Sequence, residues 1–461
     1  MRVGMLAAWM IVAFTAAAQD PNLSITWVGQ SCFAIRTVGG ITVLTDPPAA
    51  SVGYALPSLP VDVVTITHNH PDHNNSAGVT GPFTLVDGRP VTARREMTAA
   101  GLTFTLIPGF HDNQNGALRG PNTMIRWEQA GLKIGHLGDL GQDQLTDAQA
   151  ADLQNLDILF IPAGGVLTIT PERAVALVEQ LRPRVAILMH YKTALGGPAQ
   201  LAALPAAAAP FTPLVYKPSS VLVSNAGLPR STEVWVMQPA ADAVAVNSAG
   251  LTPGAPVAPG SLVSVFGNIA LSQTVAMSGY PLPAKLGETE ILIDGKAAPL
   301  SYVSPGQANL QVPFSQTPGQ ALLEARVAGN VVSRGVVTVV ANAPGLFAVV
   351  NQDAKVNSPA TPAHAGEVLQ IFATGQGAVL PPVDDGAAAG SAPYSVSPVV
   401  PNVFLQGRQI ATQFSGLAPG FAGLWQINAM LPDDAPTGPA LSLVVVDGLS
   451  SNMLTVAVVV K

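Results

Sequence analysis

The stretch "VDVVTITHNHPDHNN", residues 61–75, constrains this chain more than any other. An apolar, β-branched run of the kind that forms a buried strand passes straight into three histidines and an aspartate within residues 68–73. His68 and His70 stand two apart, so both side chains can converge at the end of the strand. Pro71 then imposes a tight turn that carries Asp72 and His73. Imidazoles and carboxylates are ligands of zinc and similar divalent ions, so one short loop offers donors to two neighbouring metal ions.

Six of the seven histidines fall between residues 68 and 190. Downstream of the first cluster, "GFHDN" supplies His111, "HLGDL" supplies Asp139 and "LMHYK" supplies His190, each at the end of an apolar run. Such positions map to the rim of a sheet, where α/β folds place ligands. Between Leu23 and Met237, short strand-like runs alternate with two helical stretches. One begins at Thr146 with Gln149 three residues on, and the other at Thr170 and Pro171, stopping before Pro183. That order predicts mixed sheets covered by helices.

At this point the sequence resembles the metallo-β-lactamase-fold hydrolases, and within them the branch of ascorbate-6-phosphate lactonase-like proteins. The resemblance rests on "ITWVGQSCFAI", "VLTDP", "THNHPDHN", "GFHDN", "GHLGDLG", "DILFIPAGG" and "ILMHYKT", in family order. It implies an α/β fold, a four-layer αβ/βα sandwich, over residues 19–239. It also implies that His68, His70 and His111 hold one metal ion, that Asp72, His73 and His190 hold a second, and that Asp139 bridges the two. Two such ions would activate a shared water as hydroxide, with Asp72 and Asp139 as the catalytic carboxylates. Five imidazoles favour zinc over manganese. His136 fills no ligand position and reads as a supporting residue behind the metal ligands. Asn115, Tyr191 and Lys192 are candidate substrate contacts, as are Asp112 and Asn113 beside His111.

The remainder of the chain bounds the setting. Arg2, the apolar run Val3 to Phe14 and the small residues Ala16 to Ala18 read as an export signal, residues 1–18. Export predicts a secreted, periplasmic or cell-surface protein with no membrane span in the mature chain. Cys32 is the one cysteine, so no intrachain disulfide can form, and it reads as a small buried hydrophobe. A net charge of −7 without a basic run excludes a nucleic-acid footprint.

After about Pro239 the texture becomes all-β and repeats itself. "GSLVSVFGN" is echoed by "GEVLQIFATG", and "ILIDGKAAPLSYVSPGQANLQVPF" by "VFLQGRQIATQFSGLAPGFAGLWQINAMLP". Residues 240–258, rich in Ala, Pro and Gly, read as an extended linker, followed by two Ig-like β-sandwich units at 259–341 and 342–461. From about Val244 the sequence resembles a C-terminal domain of secreted acidobacterial proteins, a resemblance that implies little about activity; beyond such a linker the region reads as a spacer, surface-attachment or partner-binding module.

Two readings follow. In the first, the chain is a secreted binuclear hydrolase acting on a small-molecule ester, lactone or phosphoester. In the other, it is a non-catalytic extracellular scaffold with a structural metal.

Overall fold

The computed structural model describes residues 23–459, apart from 39, 268 and 270–273. The export signal at 1–18 lies outside the described residues. Two sheets form the N-terminal region. The first runs, edge to edge, Ser220–Val223, Leu23–Gly29, Cys32–Thr37, Thr42–Thr45, Val63–Ile66 and Thr84–Asp87. The second runs Leu214–Lys217, Glu233–Met237, Val185–Met189, Ile158–Pro162, Leu132–His136, Pro121–Gln129, Leu102–Phe110 and Arg95–Ala99.

Strand alternation explains how the first sheet is buried on both faces. Ile25, Trp27, Phe33, Ile35, Val43 and Val63 point into the core shared with the second sheet. Val28, Cys32, Ala34, Leu44, Val64 and Ile66 point the other way, under Leu56, Leu59, Val79 and Phe83. Cys32 is buried in this outer layer, and burial pushes its thiol pKa up.

Two helices begin where the sequence signals them, while a short third, Leu204–Ala208, starts without a side-chain cap and is not among those expected. Asp147–Asp152 starts in a capping box between Thr146 and Gln149. Pro171–Leu181 is capped by the Thr170 side chain and ends at Arg182 in a left-handed conformation. The second helix packs Ala174, Leu177, Val178 and Leu181 into the main core.

The four-layer expectation is met on one side only. Among the described residues, the outer face of the first sheet is covered by irregular chain and short 3-10 turns rather than by a helix. Pro57 and Pro60, in the crossover that leads to Val63–Ile66, deny that stretch a continuous helix.

Two further cores follow. The second draws on residues 243–339 and lies between two sheets. One sheet has the order Val244–Asn247, Leu262–Phe266, Gln307–Gln311, Leu300–Ser304 and Val275–Ala276. The other has Lys296–Ala297, Thr289–Ile293, Gly319–Val327 and Asn330–Val339. The third core draws on residues 346–458, and its strands repeat this order. Gly345–Val350, Val368–Thr374, Trp425–Met430 and Arg408–Leu417 correspond to the first sheet. Asn402–Leu405, Gly438–Val446 and Leu454–Val459 correspond to the second. In the later unit Arg408–Leu417 is one strand belonging to both halves. The earlier unit breaks at the matching place into Lys296–Ala297 and Leu300–Ser304, with Pro299 between them.

The expectation of an open linker at 240–258 is corrected. Val244–Asn247 pairs along its whole length with Leu262–Phe266, and Val257 bridges Val339. Ala243, Ala245, Val246, Val257 and Ala258 are buried, and the Ala240 N–H reaches back to the Trp27 carbonyl at 2.8 Å. Small size and the alternation of "AVAV" let this segment close a sheet edge, so low bulk here signals packing and not slack. Ala245→Asp therefore places a carboxylate in the second core, at an expected cost of about 3–5 kcal/mol. Urea unfolding of the full chain measures it; an open tether would tolerate the change.

Candidate metal centre

Four strands end at one place. His68 and His70 follow Val63–Ile66, His111 follows Leu102–Phe110, Asp139 lies three residues beyond Leu132–His136, and His190 follows Val185–Met189. The 70–74 turn closes through N–H groups of His73 and Asn74 on the His70 carbonyl, at 3.0 and 3.1 Å. Two clusters result. The donors of His68, His70 and His111 lie within 4.8 Å of one another, as do those of Asp72, His73, Asp139 and His190. Asp139 joins them. Its Oδ2 lies 2.9 Å from His190 Nε2, 3.2 Å from those of His73 and His111, and 3.7 Å from that of His68.

The donor chemistry fits divalent cations. Nε2 of His68, His73 and His190 and Oδ1 of Asp139 are buried with no hydrogen-bond partner. Each such orphan costs about 1–3 kcal/mol unless something positive or hydrogen-bonding meets it. Ligands around a tetrahedral zinc ion sit about 3.4 Å apart, which the clusters can provide with small adjustments.

A buried carboxylate behind the clusters sets the tautomers. Asp46 accepts hydrogen bonds from the Thr67 N–H at 2.8 Å, the Thr67 hydroxyl at 2.6 Å and His73 Nδ1 at 2.9 Å. With its proton given to Asp46, the Thr67 hydroxyl accepts from His68 Nδ1 at 3.0 Å. With an ion bound, both imidazoles would thus keep their proton on Nδ1 and offer the Nε2 lone pair as the ligand. Asp46, His68 and His73 also form a possible ligand group on distance alone. The Asp46 oxygens are already engaged in these bonds, so its role is support. Asp46 lies in "VLTDP" and carries no histidine-like signal of its own; only the fold brings it behind His73.

Gln30 is a second residue that the motifs did not single out. Its Nε2 donates to Asp72 Oδ2 at 2.9 Å, and its carbonyl accepts from the His190 N–H at 3.2 Å and from Trp27 Nε1 at 3.0 Å. Gln30 and His190 both adopt left-handed backbone angles, φ 53° and 52°, a strained state tolerated where function demands it. Asn122 holds the Asp139 turn by accepting from the Asp139 N–H at 2.9 Å and donating to the Leu137 carbonyl at 2.9 Å. Gly138 is needed in that turn. Its φ is 55°, and a Cβ would lie 2.4 Å from the Asn122 side-chain oxygen.

Electrostatics follow from burial and contact. Burial and the neighbouring His73 push His68 down. His73 and His190 are raised despite their burial, because Asp139 stands against both. Burial also opposes ionisation of Asp139 and Asp72. Yet His190 and His73 hold both carboxyls well below their usual range.

The structure places the remaining expected residues as follows. His136 is buried, donates from Nε2 to the Ser31 carbonyl at 2.9 Å and accepts the Gly138 N–H at Nδ1 at 3.1 Å. It braces the Asp139 turn from behind. Tyr191 does not face substrate: it is fully buried against Trp27, and its hydroxyl donates to the Met237 carbonyl. The Lys192 ammonium is tied to the Gly197 carbonyl at 2.9 Å within its own loop. Asp112 is likewise no free contact. Its carboxylate accepts the backbone N–H groups of Gln114, Gly116, Leu118 and Arg119, stapling the loop after His111. Asn113 and Asn115 are exposed on that loop.

Residues 24–190, which include every residue of both clusters, match the beta-lactamase superfamily domain. A solved Thermotoga maritima protein of the metallo-β-lactamase superfamily is 30% identical, covering 47% of this chain and 98% of that one with a TM-score of 0.38. A UPF0173 metal-dependent hydrolase of Myxococcus xanthus is 28% identical over 211 residues, 39% of this chain and 74% of its own length. A UPF0173 protein of Pyrococcus abyssi is 30% identical over 200 residues, 39% of this chain and 88% of its own length.

The chain belongs to the UPF0173 family. Its membership makes it a metal-dependent hydrolase of the metallo-β-lactamase superfamily. The UPF0173 likeness takes up about two fifths of the chain and leaves the β-rich C-terminal region as an addition. Asp46→Ala, which strips the support from His68 and His73, is expected to weaken metal affinity about 10–100-fold. Chelator competition measures this, and unchanged affinity would refute the supporting role.

Proposed function

We propose that the chain is a secreted binuclear hydrolase that cleaves a small ester, lactone or phosphoester, in the manner of the lactonase-like branch. The observation that carries this reading is Asp139, one buried carboxylate oxygen within 3.7 Å of imidazoles from both clusters. His68, His70 and His111 would hold one divalent ion, Asp72, His73 and His190 the other, with Asp139 between them. A structural zinc site closes with four ligands and has no use for seven. That arithmetic favours the enzyme over a scaffold with a structural metal.

When bound, the ions supply a water activated near neutral pH and Lewis acidity toward the scissile group. The protein supplies the rest. Asp139 stays ionised between the two histidine clusters, through His190 and His73. Asp72 is partly exposed, and Gln30 Nε2 fixes its carboxylate. Held there, Asp72 would orient the attacking water or relay its proton. His70 is half-buried and its burial keeps it neutral, at the open side of the cluster.

The same proposal takes zinc as the ion and the C-terminal region as two Ig-like sandwich units of the acidobacterial kind, serving as a surface or partner-binding module. Two cores, each built from the same strand order, support that reading of the C-terminal region.

Purified protein should carry close to two metal ions per chain. His68→Ala and Asp139→Ala should each lose metal and at least about a hundredfold in turnover. Lactones, nitrophenyl esters, thioesters and bis-nitrophenyl phosphate, each with zinc and manganese, form the substrate panel. Turnover of none of them by a metal-loaded protein would favour the scaffold. Metal affinity should also fall with acidity. His73 and His190 bind protons more tightly than ordinary imidazole in the ion-free site, so competition begins above the usual value of about 6.5 and strengthens as pH drops. Zinc titrations between pH 5 and 8 (roughly the span over which imidazoles change charge) read this slope.

A further inference from the structure

We propose that the cavity beside His111 is an anion subsite, selecting substrates that carry a carboxylate or phosphate group away from the bond being cleaved. The inference rests on the hydrolase reading above and names its substrate class. The cavity holds about 300 Å3 and is lined by His111, Arg119, Asp143, Val166, Thr168 and Arg173 among others. It shares a wall with the metal centre, since His111 Nε2 lies 3.2 Å from Asp139 Oδ2. His111 is thus common to the metal centre and the cavity, and a substrate that reached the histidine clusters past His111 would bring its far end to the arginines.

Both arginines are available for such a group. Among the described residues, the ion pairs formed by arginine involve neither Arg119 nor Arg173. Arg173 Nε is buried without a hydrogen-bond partner. Its backbone is anchored in the first turn of Pro171–Leu181, where its N–H donates to the Thr170 hydroxyl at 3.2 Å. Arg119 is oriented by a hydrogen bond from Nη2 to the Val166 carbonyl at 3.2 Å, which leaves its other donors for a ligand.

The carboxylates of the cavity do not cancel this charge. Asp112 is buried and already accepts four backbone N–H groups of its own loop. Asp143 is exposed and contributes one opposing charge against two guanidinium groups. Guanidinium forks match carboxylate and phosphate oxygens, whereas an uncharged acyl chain offers them nothing to bind.

The test compares three esters on the metal-loaded full chain: 4-nitrophenyl butyrate, mono-4-nitrophenyl glutarate and 4-nitrophenyl 3-phosphonopropanoate. The wild type should favour at least one anionic ester over butyrate, and the larger ratio decides between carboxylate and phosphate-like groups. Arg119→Met and Arg173→Met should each lower the anionic-to-neutral ratio of kcat/KM by about tenfold, the scale of a lost charge-assisted hydrogen bond, chiefly through KM. Asp143→Asn should raise the ratio. Metal content is measured for every variant, so that loss of the centre is not mistaken for loss of the subsite.

Equal use of charged and neutral esters by the wild type, or a ratio unmoved in the arginine variants, overturns the subsite while the hydrolase reading stands. If no ester turns over, calorimetric titration with glutarate and methylphosphonate decides the subsite separately. Binding weakened about tenfold in the arginine variants keeps the subsite and removes ester hydrolysis. Binding equal to wild type overturns the subsite.

Discussion

One buried carboxylate organises the N-terminal half of this protein. Asp139 is almost inaccessible to water, yet the imidazoles of His190 and His73 hold it ionised. A charge in that position is tolerable only if positive or hydrogen-bonding groups surround it closely. In the ion-free site His73 and His190, both raised in proton affinity, meet that requirement, and His68 and His111 stand close by as further ligands for a cation. The arrangement demands that the strands ending at residues 66, 110, 136 and 189 deliver their following residues to one point. The two sheets and their shared core are the means of delivery.

The precision of that delivery depends on groups that touch no substrate. Asp46 orients His68 and His73, Asn122 holds the Asp139 turn, Gln30 ties Asp72 to the backbone of His190, and His136 braces the turn from behind. Backbone packing matters equally. Gly164 lies so close to the end of the Val185–Met189 strand that a Cβ there would stand 2.0 Å from the His190 carbonyl oxygen. His190 and Gln30, both in left-handed conformations, show the same pressure: local backbone cost is accepted to bring a ligand into register.

The C-terminal half obeys different rules. Its two cores, 243–339 and 346–458, are filled chiefly by Ala, Val, Leu and Ile, joined in the later one by Trp425. Among the described residues, the candidate metal-binding groups all lie in the N-terminal half. The strand order of one unit recurs in the other, with Pro299 marking where the first departs from the second. The connecting segment is built into the second core, so the halves meet through packed chain as well as through covalent linkage.

The sequence alone determined where the ligands lie, because a metal centre needs residue types that are scarce elsewhere in the chain. Histidines at 68, 70, 73, 111 and 190 stand out against an 11% charged background. Helix starts at Thr146 and Thr170 were legible too, since capping is a local interaction. What only the tertiary structure decided involves partners distant along the chain. Asp46 meets His73 across 27 residues and Gln30 meets Asp72 across 42, pairings with no local signature. Tyr191 looked like a substrate contact beside His190, but successive residues at a strand end face opposite ways, and its ring turns into the core against Trp27. The segment 240–258 looked like a tether because Ala, Pro and Gly are common to linkers and to close-packed sheet edges alike. Composition cannot separate the two; only the pairing of Val244–Asn247 with Leu262–Phe266 does.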